Sequence, residues 1–153
     1  MKQGLIIGES FNPIDYGDND SWDNAFSKLK ASGKTILGWL GLSYEETWKM
    51  FDSLNIKNRS NDIIPRDALL ERIADHEITL VFGRIAERHV FGEIKPELPY
   101  HSYVNGHLVS VFPHPSGRNR KLNDKDLLEK CKSICQLSVG MLYVCFPMNY
   151  KDV

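Results

Sequence analysis

Apolar positions along this chain follow two rhythms. Short, mostly apolar runs at Leu5-Ile6-Ile7, Ile78 to Phe82 and Leu108 to Phe112 predict buried strands, and Ser53 to Ile56 is a candidate for another, four in all. Between them, apolar residues recur at helical spacing from Trp22 to Leu29, Lys34 to Leu40, Pro65 to His76 and Asp124 to Gln136. Ile85, Ala86, His89 and Val90 repeat in the same way between Gly83 and Gly92. Ser43 precedes Tyr44-Glu45-Glu46, so an N-cap hydroxyl with Glu at N3 predicts another helix start, followed by apolar Trp48 and Phe51. Polar stretches predict loops at Glu9 to Ser21, at Asn58 to Asp62 and around Pro96 and Pro99, and Met141 to Phe146 is a candidate for a last strand. Strands alternating with helices predict an α/β fold in three α/β/α layers around a central, mostly parallel four-stranded sheet. The 153 residues fit a single domain, 1–153.

Composition adds limits. No apolar stretch is long enough for a signal peptide or membrane span, so the expected setting is cytoplasmic, with no membrane partner. Cys131, Cys135 and Cys145 are odd in number and form no CxxC pair, which suits reduced structural thiols. Cys131 and Cys135 have the i, i+4 spacing of a metal half-site but lack nearby His or further Cys. A net charge of −1 argues against coating nucleic acid non-specifically. Local basic clusters, Lys57, Arg59 and Arg66 in the middle and Arg118, Arg120, Lys121 and Lys125 later, can still meet one strand.

The candidate chemistry sits where strands end. Two familiar patterns fail. Ala31-Ser32-Gly33-Lys34-Thr35 lacks the first glycine and the preceding strand of a phosphate loop, and Gly8-Glu9-Ser10-Phe11-Asn12 lacks the second glycine of a nucleophile elbow. What remains is Glu9 and Asn12 after the first strand, Asn55 near the end of the second, and His114 with Ser116 after the fourth. In a parallel sheet these ends share one edge, where open α/β sheets keep their ligands. An Asn offers donor and acceptor to a nucleobase, a Glu or Asn holds a water, and a His steadies negative charge on a departing group. The same residues also have plain structural uses, as a strand-capping amide, a surface acid and a turn with solvated arginines.

Order and spacing resemble the uracil-DNA glycosylase superfamily. Gly8-Glu9-Ser10-Phe11-Asn12-Pro13 is similar to its water-activating first motif, and His114-Pro115-Ser116-Gly117-Arg118-Asn119-Arg120 to its His-Pro-Ser loop. Phe51 to Lys57 is similar to the strand that ends in a base-reading Asn, and Leu80 to Ala86 to the third strand and its helix. The resemblance implies a DNA glycosylase that hydrolyses the N-glycosidic bond of uracil or a modified pyrimidine flipped out of single- or double-stranded DNA. It implies a monomer with no cofactor and no metal; the cluster-binding cysteines of the iron–sulfur branches are absent. By this resemblance His114 stabilises the leaving base, Asn55 reads its edge, and Ser10 and Phe11 line the base pocket, with Phe11 stacking. Ser116, Gly117, Arg118 and Arg120 grip DNA, with Arg118 at the wedge position. The water-positioning residue is Glu9 if Gly8 anchors the motif and Asn12 if Pro13 does, with Asp15 a third choice. Two other functions fit the same residues: an inactive nucleotide- or nucleic-acid-binding module of this fold, or a hydrolase of free nucleosides or nucleotides.

Overall fold

The computed structural model describes residues 2–10, 22–23, 31–116 and 119–145. Its strands are β1 (Gly4–Ser10), β2 (Phe51–Lys57), β3 (Ile78–Phe82), β4 (Tyr100–Val104) and β5 (His107–Phe112). The helices are α1 (Ala31–Leu40), α2 (Tyr44–Met50), α3 (Arg66–Ala74), α4 (Arg84–Phe91) and α5 (Lys125–Cys145), with a 3₁₀ turn at Arg120–Asn123. One five-stranded sheet runs in the order β2-β1-β3-β5-β4. The pairs β1/β2, β1/β3 and β3/β5 are parallel, and β4 joins β5 antiparallel.

Strand alternation feeds two cores, because successive side chains point to opposite faces. Ile6, Phe51, Ile78, Leu80, Phe82 and Phe112 pack with residues of α1, α2 and α5. Leu5, Ile7, Leu54, Ile56, Val81, Val109 and Val111 pack instead with α3 and α4. Burial on both faces explains why β1, β3 and β5 read as mostly apolar runs. The capping box at α2 forms as expected: Ser43 Oγ accepts from the Glu46 N–H at 3.1 Å, and Glu46 Oε1 accepts from the Ser43 N–H at 3.0 Å. Pro65 caps α3.

Three expectations change. The sheet has five strands rather than four, since the segment read as a proline loop contains edge strand β4. Its residues alternate between half-buried and exposed, so no apolar run marks it. Its turn was nevertheless written in the chain. Asn105 and Gly106 both take positive φ, 48° and 83°, as a two-residue type I′ hairpin requires. The second correction concerns Met141 onward, which is helix and not strand: α5 continues to Cys145. Cys131, Cys135, Ser138, Val139 and Leu142 supply its buried stripe at helical spacing. The third is at the first strand, where Glu9 and Ser10 belong to β1 rather than to the loop after it. The helix expected from Trp22 to Leu29 falls, apart from Trp22 and Asp23, outside the described residues. Among those described, no helix is long and apolar enough to cross a membrane.

Burial pushes the Cys131 thiol up to about 12 and raises Cys135 further in the same direction, with Cys131 nearby adding to the effect. Both thiols thus behave as core residues rather than nucleophiles.

A buried carboxylate ties β4 to α4. Glu87 is fully buried. It accepts hydrogen bonds from Arg84 Nη1 at 2.8 Å, the Lys95 N–H at 2.9 Å and the Tyr100 hydroxyl at 2.5 Å. Burial alone would raise its pKa, but these donors outweigh burial and hold the carboxyl below its ordinary value. Glu87→Ala leaves Arg84 and Tyr100 without their shared acceptor. The expected cost is about 3 kcal/mol, seen as a fall in melting temperature of roughly 6–12 °C. Because the folded pKa is depressed, Glu87 contributes fully above its unfolded value near 4.5. That contribution is lost as pH falls below this value and through the folded one. A calorimetric pH series on both proteins checks this, with the difference narrowing in acid.

Candidate active site

The C-terminal ends of β1, β2, β3 and β5 lie along one edge of the sheet, as their parallel register demands. Glu9 is the penultimate residue of β1, on the pleat shared with Leu5 and Ile7, and so faces the α3/α4 side. There it meets the start of α4. Its carboxylate accepts a hydrogen bond from the Ile85 N–H, and Oε1 lies against Gly83 so closely that a Cβ at that position would stand 2.1 Å away.

His114 approaches the same oxygen from the loop after β5. Its Nε2 is 3.4 Å from Glu9 Oε1. The other ring nitrogen, Nδ1, lies 3.0 Å from the Ser116 backbone N–H, which can only donate. Nδ1 is therefore an acceptor, and the neutral ring carries its proton on Nε2, the nitrogen aimed at Glu9. The loop is closed by Asn119. Its Nδ2 donates to the His114 carbonyl at 3.0 Å, and its own N–H donates to the Ser116 carbonyl, also at 3.0 Å. The His114 side chain is 40 % exposed while that of Glu9 is only 11 % exposed. A partly open imidazole above a nearly buried carboxylate leaves the ring accessible to a ligand.

Burial raises the pKa of Glu9, and the nearby His114, the Ile85 N–H and the charge of Lys57 act in the opposite direction. Lys57 ends β2 with its backbone in register with Ser10. A carboxylate kept half-destabilised beside a proton donor is an arrangement suited to general-base work.

Asn55 stands at the same edge but on the other pleat. Its partner in register is Gly8, the residue before Glu9. It therefore faces the α1/α5 side, with Phe82 and Phe112 further along the sheet. Those two rings stack at 5.0 Å between centroids, and Trp39 stacks on Phe82 at 6.0 Å. Asn55 is 4 % exposed, and among the described residues its Oδ1 has no hydrogen-bond partner. Its backbone N–H donates to the Trp22 carbonyl at 2.9 Å, which ties the Trp22 segment to β2. A buried amide oxygen left unsatisfied costs about 1–3 kcal/mol unless something supplies a donor.

Of the residues expected in the site, Glu9 and His114 meet directly, while Asn55 is one strand away across the bare backbone of Gly8. Ser116 orients the His114 ring through its amide. Arg120 is exposed at the start of the 3₁₀ turn and lines, with Pro113, Lys121 and Arg84, a groove of about 520 Å³ beside the His114 loop. Phe11, Asn12, Asp15, Gly117, Arg118 and the Ser10 side chain lie outside the described residues. Among the described residues, no group of three or more His, Cys, Asp or Glu side chains is arranged to hold a metal ion.

Gly83, the Ile85 amide and Asn119 enter the site without having been singled out in the sequence. The signal for Gly83 was present: a buried strand, a glycine and a helix start repeat at the end of β3 the grammar that marked the end of β1. The chain matches no family model, and comparison with curated proteins returns no match.

Proposed function

We propose that this chain is a monofunctional DNA glycosylase that hydrolyses the N-glycosidic bond of uracil or a modified pyrimidine swung out of DNA. The observation that carries the reading is the pairing of Glu9 with the Nε2 face of His114 at the C-terminal edge of the sheet. Asn55, whose buried Oδ1 has no hydrogen-bond partner among the described residues, stands at the same sheet edge but on the opposite pleat from Glu9.

The chemistry follows from these groups. Breaking the bond between the sugar carbon and the base nitrogen leaves the electron pair on the base and positive charge on the sugar. The Nε2–H of His114 donates to the base oxygen on which the negative charge gathers. The Glu9 carboxylate steadies the sugar cation, orients a water towards it and takes the water's proton as the new carbon–oxygen bond forms. Glu9 then releases that proton to solvent, from which the base anion takes one up, so the products are the neutral free base and an abasic sugar with the carboxylate restored. At 3.4 Å the Glu9–His114 contact is longer than a tight charge-assisted hydrogen bond of about 2.7–2.9 Å, so substrate can displace it at small cost. Asn55 supplies hydrogen bonds to the base edge. Lys57 and Arg59 on one flank, and Arg120 and Lys121 on the other, receive backbone phosphates of a single protein copy's DNA partner.

The test is an oligonucleotide panel in which each member carries one uracil or one modified pyrimidine. Incubation with the purified protein is expected to create an alkali-labile break at that position. A panel left intact at high enzyme concentration refutes the proposal, and release of base from free nucleosides alone moves the function to small substrates. Asn55→Ala is expected to lower kcat/KM by roughly 10- to 100-fold through loss of base-edge bonds worth ~1–3 kcal/mol. The variant should still melt cooperatively, so that the loss is one of rate and not of folding. Steady-state kinetics alongside a melting curve checks both halves.

A further inference from the structure

We propose that Gly83 and the first turn of α4 form a fitted seat for the Glu9 carboxylate, which makes Gly83 a positioning residue for the reaction. This rests on the glycosylase reading for its consequence in catalysis, though not for the seat itself. Gly83 has φ 100° and ψ 159°, a conformation in which a side chain is strained. A second demand is spatial. A Cβ built on Gly83 would lie 2.1 Å from Glu9 Oε1, 2.6 Å from Cδ and 3.1 Å from Cγ. Thus the carboxylate occupies the volume that every other residue type would fill.

The turn itself has no freedom to retreat. Gly83 N–H donates to the Phe112 carbonyl at 2.9 Å, and the Gly83 carbonyl accepts from the Glu87 N–H at 3.0 Å. Backbone bonds to β5 on one side and within α4 on the other therefore fix its place, so a methyl group added there displaces the Glu9 side chain rather than the backbone. The oxygen that would be displaced is the one 3.4 Å from His114 Nε2. Other groups acting on Glu9 are the Ile85 N–H from α4 and Lys57 from β2. Moving the carboxylate out of the seat breaks the Ile85 bond and the alignment with His114 together.

Gly83→Ala is expected to reduce kcat roughly 10- to 100-fold with little change in KM, the scale of misplacing one general base. In a Glu9→Ala background the same substitution should change the residual rate less than about twofold, because nothing remains to be displaced. Glu9→Asp keeps the acid and leaves Gly83 untouched but is one methylene too short for the seat, and it should lose kcat to a similar degree. A full rate in Gly83→Ala or Glu9→Asp, or an equal loss from Gly83→Ala in both backgrounds, overturns the positioning role. The seat has its own readout in the amide resonance of Ile85 followed against pH. Its shift should track a carboxyl titration in the wild type, vanish in Glu9→Ala and move to lower pH in Gly83→Ala as the group enters solvent. An Ile85 resonance indifferent to Glu9→Ala overturns the seat. If the seat passes while the wild type releases no base, the glycosylase reading alone has failed.

Discussion

Replacing His114 with alanine is expected to slow base release by roughly 10²–10³-fold, the usual loss when one preorganised donor to a developing anion is removed. The argument starts from the ring's hydrogen bonds. Nδ1 is occupied by the Ser116 N–H, so the proton sits on Nε2 without any further adjustment when the base departs. Stability should hardly change, since the ring is 40 % exposed and the loop remains closed by the Asn119 bonds to the His114 and Ser116 carbonyls. DNA affinity should also persist, because the cations proposed to meet phosphates are elsewhere. Single-turnover rates and a fluorescence binding curve on the same oligonucleotide separate these effects. A proportional loss of binding and rate would show that His114 holds DNA rather than the leaving base.

Glu9→Gln is expected to do two opposite things. It removes the carboxylate proposed to take the proton from water, so base release should fall by about 10²–10⁴-fold. It should also raise the melting temperature at neutral pH. Burial, the largest influence, raises the pKa of Glu9 above its ordinary 4.5, while His114, the Ile85 N–H and Lys57 only partly offset it. A folded state with a raised carboxyl pKa binds the proton more tightly than the unfolded chain does. The stability this provides is complete below the unfolded value and is lost as pH rises through the folded one. Above its folded pKa the wild type therefore carries an ionised, destabilised carboxylate, and glutamine carries none. The advantage of Glu9→Gln should shrink as pH falls towards 4.5 and vanish below it. For the same reason the wild-type rate should decline on the acid side at a pH above the ordinary carboxylate range. A variant that is inactive yet less stable at pH 7 would contradict the picture of Glu9 as a strained base, a trade between stability and function.

Much of the fold that places these residues is legible in the sequence. Three of the four parallel strands are legible because both faces are buried, which leaves mostly apolar runs such as Ile78 to Phe82, interrupted only by Thr79. Glu9 and His114 stood out as polar groups following such runs, and parallel register brings strand ends to one edge. Strand β4 stayed hidden since Pro96 and Pro99 suggest a loop and His101 and Tyr103 face solvent, although Asn105-Gly106 carried the hairpin signature. The tail of α5 misled for a different reason. A short apolar run such as Met141 to Cys145 fits a strand or a buried helix turn equally well until its partners are known. In the sequence Gly83 reads only as the end of a strand, because its second role is contact with a side chain 74 positions earlier. Asn55 was placed at the right edge, but the pleat that turns it away from Glu9 depends on the register Gly8–Asn55, which spacing alone does not fix.

Mass spectrometry of the products from a uracil- or modified-pyrimidine-containing oligonucleotide tests the central claim most directly, with wild type, Glu9→Gln and His114→Ala run side by side. The account predicts free base and an abasic strand in equal amounts from the wild type, and sharply less of both from either variant. Unchanged oligonucleotide with the wild type, or equal base release by all three proteins, would contradict it.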